Sequence, residues 1–255
     1  MDIRWLTAFI DRPDAELAPA LEFWAVATAS DPSPFRGEGD QFTTLVPRAG
    51  GDAHLRLQRT RDGTGGTHLD LHVDDVAAAT AAALGSGAAE VQRGESHVAL
   101  RSPGGYPFCF VEHRGEATRT RPVDGEHRAS RTLVDQLCLD VPADRYEAEI
   151  EFWAAVTGWP VRPTSADEFT ALVRPRRAPL RLLFQRLGDG HGGAAVSGHL
   201  DLACDDVRSA VVTHTALGAT VRDERQWWTV MTDPSGHSYC LTSRDPDTGL
   251  IRQLR

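Results

Sequence analysis

With 255 residues, 41% of them hydrophobic and 25% charged, the chain has an ordinary globular composition and enough length for two cores. Its formal charge of −9 leaves no basic face for nucleic acid, and no stretch approaches the roughly 18 apolar residues of a membrane span. The N-terminus lacks the apolar run of a signal peptide and the four cysteines form no CxxC pair, so a reduced, cytoplasmic protein is the expectation.

Taken in order, Trp5 to Ile10 reads as a strand. A helix follows, with Leu17, Leu21, Trp24 and Ala25 at helical spacing and Pro19 placed in its first turn. Asp31-Pro32-Ser33-Pro34 breaks the chain, and Gln41 to Pro47 and His54 to Arg59 read as two further strands. His68 to Val73 alternates, with Leu69, Leu71 and Val73 on one face and His68, Asp70 and His72 on the other. Asp75 is placed to cap an alanine-rich helix that stops at Gly85. Glu90 to Arg93, His97 to Arg101 and Tyr106 to His113 are short strands, the last two joined by the Ser102-Pro103-Gly104-Gly105 turn.

Residues 116–130 carry charge, Pro and Gly without apolar period and read as a linker. Beyond it the plan repeats. Val134 to Val141 alternates, with Gln136, Cys138 and Asp140 on one face. Asp144 with Glu147 resembles a capping box before a helix that buries Tyr146, Ile150 and Trp153 and stops at Gly158. Strands follow at Trp159 to Pro163, Phe169 to Arg174 and Leu180 to Arg186. The Gly-rich loop from Gly188 to Gly193 lacks the Lys and Ser/Thr of a phosphate-binding loop. The last part reads as a strand from Ser197, a helix over Val207 to Leu217, and strands near Thr220 to Asp223, Trp227 to Thr232 and Ser238 to Thr242.

Four phrases recur in order. Glu22-Phe23-Trp24-Ala25 returns as Glu151-Phe152-Trp153-Ala154, 129 residues later. Phe42-Thr43-Thr44-Leu45-Val46 returns as Phe169-Thr170-Ala171-Leu172-Val173, and His68-Leu69-Asp70-Leu71 as His199-Leu200-Asp201-Leu202. The turn at Ser102-Pro103 returns at Asp233-Pro234. The chain is therefore read as a duplication, with domains 1–115 and 131–255 joined by 116–130. The expected fold is α+β: four βαβββ units, two per domain, whose sheets curl so that one face packs on helices and the other lines a cup.

These units, the H-x-D-L-x-x-D-D-V phrase and the D/S-P-x-G turn before a final apolar strand resemble the vicinal oxygen chelate superfamily. That group includes glyoxalases, bleomycin-resistance proteins and extradiol dioxygenases. The likeness is greatest to tandem glyoxalase-like proteins and covers nearly the whole chain outside the linker. It implies a divalent metal (Zn, Ni, Mn or Fe) held at the base of a cup by a first-strand His or Gln and a last-strand Glu. His68 and His199 fall on the first position, Gln136 aligns with them, and Trp5 takes the corresponding place in the first unit. Four residues after the turn glycines, where Glu is expected, stand Cys109 and Cys240.

Two readings of His68, Asp70 and His72 stay open: a metal or acid–base site, or a polar strand face bonded to its neighbours. His68 and His72, at i and i+4 on one strand, are too far apart to share an ion. His113 shares strand parity with Cys109. In the second half the candidates are Gln136, Asp140, His199, Asp201 and Cys240, and Cys109 and Cys240 read either as thiolate ligands suited to zinc or as small buried residues of apolar strands. Trp5, Trp227 and Trp228 are candidates for stacking on a planar ligand, whereas Trp24 and Trp153 read as core. The first expectation is a monomer or homodimer that binds a small planar or hydrophobic metabolite or antibiotic without a full catalytic metal site. The alternative is a metal-dependent lyase, isomerase or dioxygenase using His68 or His199.

Overall fold

The computed structural model describes residues 2–61, 63–123, 130–164, 166–188, 190 and 194–251. The first half of the sequence runs β1 (Trp5–Pro13), α1 (Asp14–Ala27), β2 (Ser30–Pro32), β3 (Phe42–Pro47) and β4 (Leu55–Thr60). It continues with β5 (Gly66–Val73), α2 (Val76–Gly85), β6 (Ala89–Arg93), β7 (His97–Arg101) and β8 (Pro107–Glu112). The second half repeats this as β9 (Thr132–Val141), α3 (Tyr146–Thr157), β10 (Val161–Pro163), β11 (Phe169–Leu172) and β12 (Arg181–Arg186). Its last elements are β13 (Ser197–Cys204), α4 (Val207–Ala216), β14 (Thr220–Glu224), β15 (Trp228–Thr232) and β16 (Ser238–Ser243).

These strands form two eight-stranded mixed sheets, ordered β2-β3-β4-β1-β5-β8-β7-β6 and β10-β11-β12-β9-β13-β16-β15-β14. The expected α+β architecture of four βαβββ units is what is observed. In each unit that begins with β5 or β13, the helix is a crossover. It returns the chain so that the last strand, β8 or β16, lies parallel to the first.

Helix ends follow local chemistry, with three departures from the sequence reading. Asp75 and Asp206 cap α2 and α4 by accepting the N–H of Ala78 and Ser209. Pro19 is the sixth residue of α1 rather than part of its first turn, which instead carries Asp14 and Glu16 against the N-terminal dipole. The left-handed residue after α2 is Gly87 (φ 101°), not Gly85. The Ala88 N–H reaches back to the Ala83 carbonyl across it. Asp144 makes no cap: it lies in a short 3-10 turn, Ala143–Arg145, so the Asp144–Glu147 box does not form.

Two further differences concern strands. The Asp31-Pro32 region is β2, an edge strand paired antiparallel to β3, where proline's missing N–H can face outward. Trp227 precedes β15, which begins at Trp228. In the stretch 116–130, residues 124–129 lie outside the described residues; Thr120 and Val123 are buried, and Val123 bridges to Thr132. Of the Gly-rich loop, residues 189 and 191–193 also lie outside.

Contacts gather the chain into two compact units. The first comprises residues up to Phe9 with Thr67–Thr118 and Leu137–Gly198. The second comprises Ile10–Gly66, Arg119–Gln136 and the chain from His199. Each unit therefore mixes sequence halves. In the first, Phe152 and Trp153 of α3 pack edge-on against Phe108 of β8, with ring centroids at 5.8 and 5.2 Å. In the second, Phe23 and Trp24 of α1 pack on Tyr239 of β16 at 5.6 and 5.2 Å. Burying one indole removes about 150–250 Å² of largely apolar surface from water, an upper estimate of roughly 4–6 kcal/mol.

A buried indole N–H needs an acceptor, and each unit supplies a different carboxylate. Trp24 Nε1 donates to Asp233 Oδ2 at 3.0 Å, and Trp153 Nε1 donates to Glu149 Oε1 at 2.8 Å. Asp233 is also paired with the buried Arg12 guanidinium at 2.9 Å and accepts the N–H groups of Ser235 and His237. Burial would raise its pKa, but Arg12 and these hydrogen bonds hold it below the ordinary carboxylate value. Glu149 accepts the Gly104 N–H at 2.8 Å, tying α3 to the β7–β8 turn.

Candidate functional site

Strand alternation builds the site. In β5, Leu69, Leu71 and Val73 enter the core, and His68, Asp70 and His72 project from the opposite face; all six are buried. Phe9 of β1 lies flat on the His68 imidazole, with centroids 4.1 Å apart and planes at 16°. His68 Nε2 is 3.9 Å from Asp70 Oδ1. Parallel pairing sets Asp70 directly opposite Cys109 of β8. One donor atom from each of His68, Asp70 and Cys109 lies within 4.8 Å of the others.

His72 belongs to a different network. Its Nε2 is 3.0 Å from Thr7 Oγ1, and its Nδ1 is 3.5 Å from Glu116 Oε2. His113 turns to the same glutamate, with Nε2 at 3.7 Å from Oε2 and at 3.0 Å from the Glu116 carbonyl. Burial would raise the Glu116 pKa; its own N–H, His72, the Arg114 N–H and His113 together lower it.

In the second unit, Gln136 Nε2 donates to Asp201 Oδ2, and His199 Nε2 lies 3.4 Å from Asp201 Oδ1. That Oδ1 is buried and accepts no hydrogen bond among the described residues. Asp201 stands opposite Cys240 in the parallel β13–β16 pair, repeating the Asp70–Cys109 register. Trp227 and Trp228 are partly exposed, at the start of β15. Trp5 is completely buried, so its indole is core rather than an open stacking surface.

The structure thus sets His68 beside Asp70, and brings Gln136 and His199 each to Asp201. It draws His72 away toward Glu116. Cys109, read from the sequence at the expected glutamate position, joins His68 and Asp70. Its signal was its place four residues after the turn glycine, on a parity shared with the cup face. Phe9, Thr7 and Glu116 carry no motif.

A neutral imidazole, a carboxylate and a thiolate are a donor set suited to a borderline ion such as zinc. They are not the two-His-one-carboxylate triad of non-haem iron.

The chain belongs to the glyoxalase-like domain family, whose model matches it twice, over residues 7–111 and 136–242. The two matched segments begin at Thr7 and Gln136, the same 129-residue offset as Trp24 and Trp153, so Thr7 rather than Trp5 is the counterpart of Gln136. Thr7 spends its hydroxyl on His72. No curated protein matches the chain.

Solved structures share the fold at low identity. 2,2',3-Trihydroxybiphenyl 1,2-dioxygenase from Sphingomonas wittichii is 16% identical with a TM-score of 0.63, covering 94% of this chain and 90% of that one. A variant of homoprotocatechuate 2,3-dioxygenase from B. fuscum is 13% identical with a TM-score of 0.62, covering 98% and 75%. A variant of 4-hydroxymandelate synthase from Streptomyces coelicolor is 15% identical with a TM-score of 0.56, covering 94% and 92%.

Proposed function

We propose that this chain binds a small planar or hydrophobic metabolite or antibiotic on the polar face of its first-strand residues, without the metal ligands of the superfamily's enzymes. The carrying observation is the register of Asp70 with Cys109 and of Asp201 with Cys240. Both positions where the resemblance expects a metal-binding Glu hold Cys. The face of the His68 imidazole is covered by Phe9. His68, Asp70 and His72 in one unit, and Gln136, His199, Asp201, Trp227 and Trp228 in the other, are the residues we assign to binding. The buried Trp5 would act only by supporting the sheet. Domains 1–115 and 131–255, joined by 116–130, are the duplicated pieces in this reading. Four free cysteines suit a reducing, cytoplasmic setting, and no described helix is long and apolar enough to cross a membrane.

A second reading is favoured by the convergence of His68, Asp70 and Cys109 donor atoms within 4.8 Å. In a metal-dependent lyase, isomerase or dioxygenase these three would hold a divalent ion, which would act as a Lewis acid on a substrate oxygen. His68 and Asp70 would then orient each other, and Phe9 would exclude water from the imidazole face.

Metal analysis of gently purified protein, with Zn, Ni, Mn and Fe(II) titration of the stripped form, separates the two. The binding reading expects no stoichiometric metal and saturable tryptophan quenching by planar aromatic ligands in stripped protein. Near-stoichiometric metal lost on His68→Ala would overturn it in favour of the enzyme.

A further inference from the structure

The second compact unit contains a small cavity that the site above does not use. It measures about 20 Å³ and lies where the chain leaving α1, β3, the start of β4, the stretch before β9 and β9 itself come together. Most of its wall is apolar, with Leu45, Leu55 and Leu202 contributing. Five polar side chains also line it: Thr28, Ser30, His54, Thr120 and Thr132.

Each hydroxyl has one proton to place. Thr28 Oγ1 donates to the Trp24 carbonyl at 2.7 Å. The Thr120 hydroxyl sits between the Asp52 carbonyl at 3.2 Å and His54 Nδ1 at 3.3 Å, and His54 Nε2 is 2.9 Å from the Val134 carbonyl. Ser30 Oγ is less well served. It lies 3.0 Å from Thr28 Oγ1, and its donation to the Thr28 carbonyl is long, at 3.3 Å. Thr132 is only 3% exposed, yet its Oγ1 has no hydrogen-bond partner among the described residues. A buried hydroxyl left in this way is costly, because it gives up water and gains no partner. The cavity that Thr132 lines meets that need in size and in chemistry: a bound water requires about 10–15 Å³ and two to four polar partners.

We propose that this cavity is a binding site for one ordered water that bridges Thr132 Oγ1 and Ser30 Oγ. The water accepts the Thr132 proton and donates one of its own to Ser30. It fastens the start of β9 to the chain leaving α1, beside the His54–Val134 bond and the Val123–Thr132 bridge. This site stands apart from the small-molecule reading, because about 20 Å³ is too little for a planar metabolite.

The sign of the Thr132→Val effect tests it, read by urea denaturation of the full chain. Without a water, valine removes an unsatisfied hydroxyl at nearly constant shape, and stability should hold or rise. With the water, valine breaks a hydrogen bond, and the folding equilibrium constant should fall about three- to tenfold. Thr132→Ser, which keeps the hydroxyl, should keep the water. In a Ser30→Ala background the loss caused by Thr132→Val should shrink to less than half, because both side chains act through the same molecule. Oxygen-17 relaxation dispersion should count one fewer long-lived water in Thr132→Val than in the wild type and in Thr132→Ser. Thr132→Val at or above wild-type stability, full additivity with Ser30→Ala, or an unchanged water count overturns the site. Should Thr132→Val fail to fold, a high-resolution crystal structure of the wild type reads the cavity directly. Density within hydrogen-bond distance of both Thr132 Oγ1 and Ser30 Oγ supports the site, and its absence there overturns it.

Discussion

Asp70 faces Cys109 directly across the parallel β5–β8 ladder, and Asp201 faces Cys240 in the same register across β13–β16. The duplication therefore preserved a carboxylate–thiol pair in both halves. Beside His68 and His199, cysteine stands where the resemblance places a metal-binding glutamate.

Restoring glutamate tests that substitution. Cys109→Glu puts a second carboxylate beside Asp70 and His68, so divalent-ion affinity should rise at least about tenfold over the wild type. Isothermal titration with Mn(II) measures it. An unchanged affinity would mean that the strand geometry, and not the residue type, prevents ligation.

The Arg12–Asp233 pair is buried on both sides and also holds the Trp24 indole. Asp233→Asn should destabilise the protein by about 3–5 kcal/mol, because it leaves the guanidinium buried and uncompensated. Urea denaturation at neutral pH reads the loss directly.

The same carboxylate makes stability pH-dependent. Its folded pKa lies below the unfolded one, near 3.9, so its contribution is present above that value. The contribution is lost as pH falls through the folded pKa. The midpoint of denaturation should therefore drop below about pH 4, and the Asp233→Asn variant should lose that part of the acid sensitivity. Parallel slopes for the two proteins in this range would count against the assignment.

Gly104 has no room for a side chain. An added Cβ would lie 2.4 Å from Val196 Cγ2 and 2.6 Å from Glu149 Oε2. Gly104→Ala should cost about 1–3 kcal/mol by overpacking. The Gly104→Ala, Val196→Ala pair should recover part of this in thermal melts. Gly218, with φ 94°, should cost less on substitution, about 1 kcal/mol, because only backbone strain is involved.

Glu116 is held in its charged form by its own N–H, His72, the Arg114 N–H and His113 against burial. Its stabilising effect belongs to pH above the unfolded carboxylate range and fades as the group protonates. Glu116→Gln should lower the melting temperature at pH 7, and the difference should shrink as pH falls below the unfolded carboxylate value. A melting temperature lowered by the same amount at every pH would point to a packing effect instead.

What sequence alone determined here was what alternation, turn chemistry and repetition encode. The strand faces of β5, the Asp75 cap, the Gly158 stop and the duplicated H-x-D-L phrase are local patterns, and a period of 2 or 3.6 is readable without knowing what lies opposite. Pro19, Gly87 and Asp144 escaped because helix ends shift by a few residues at little local cost. Only the tertiary structure decided that α3 packs on β8 and α1 on β16. It alone set Cys109 against Asp70 and drew His72 to Glu116. These are partnerships between residues separated by about 40 positions or by more than 200, and they depend on strand register and helix docking. The chain carries no short-range mark of such pairings, because the energy that selects them comes from burying whole faces together.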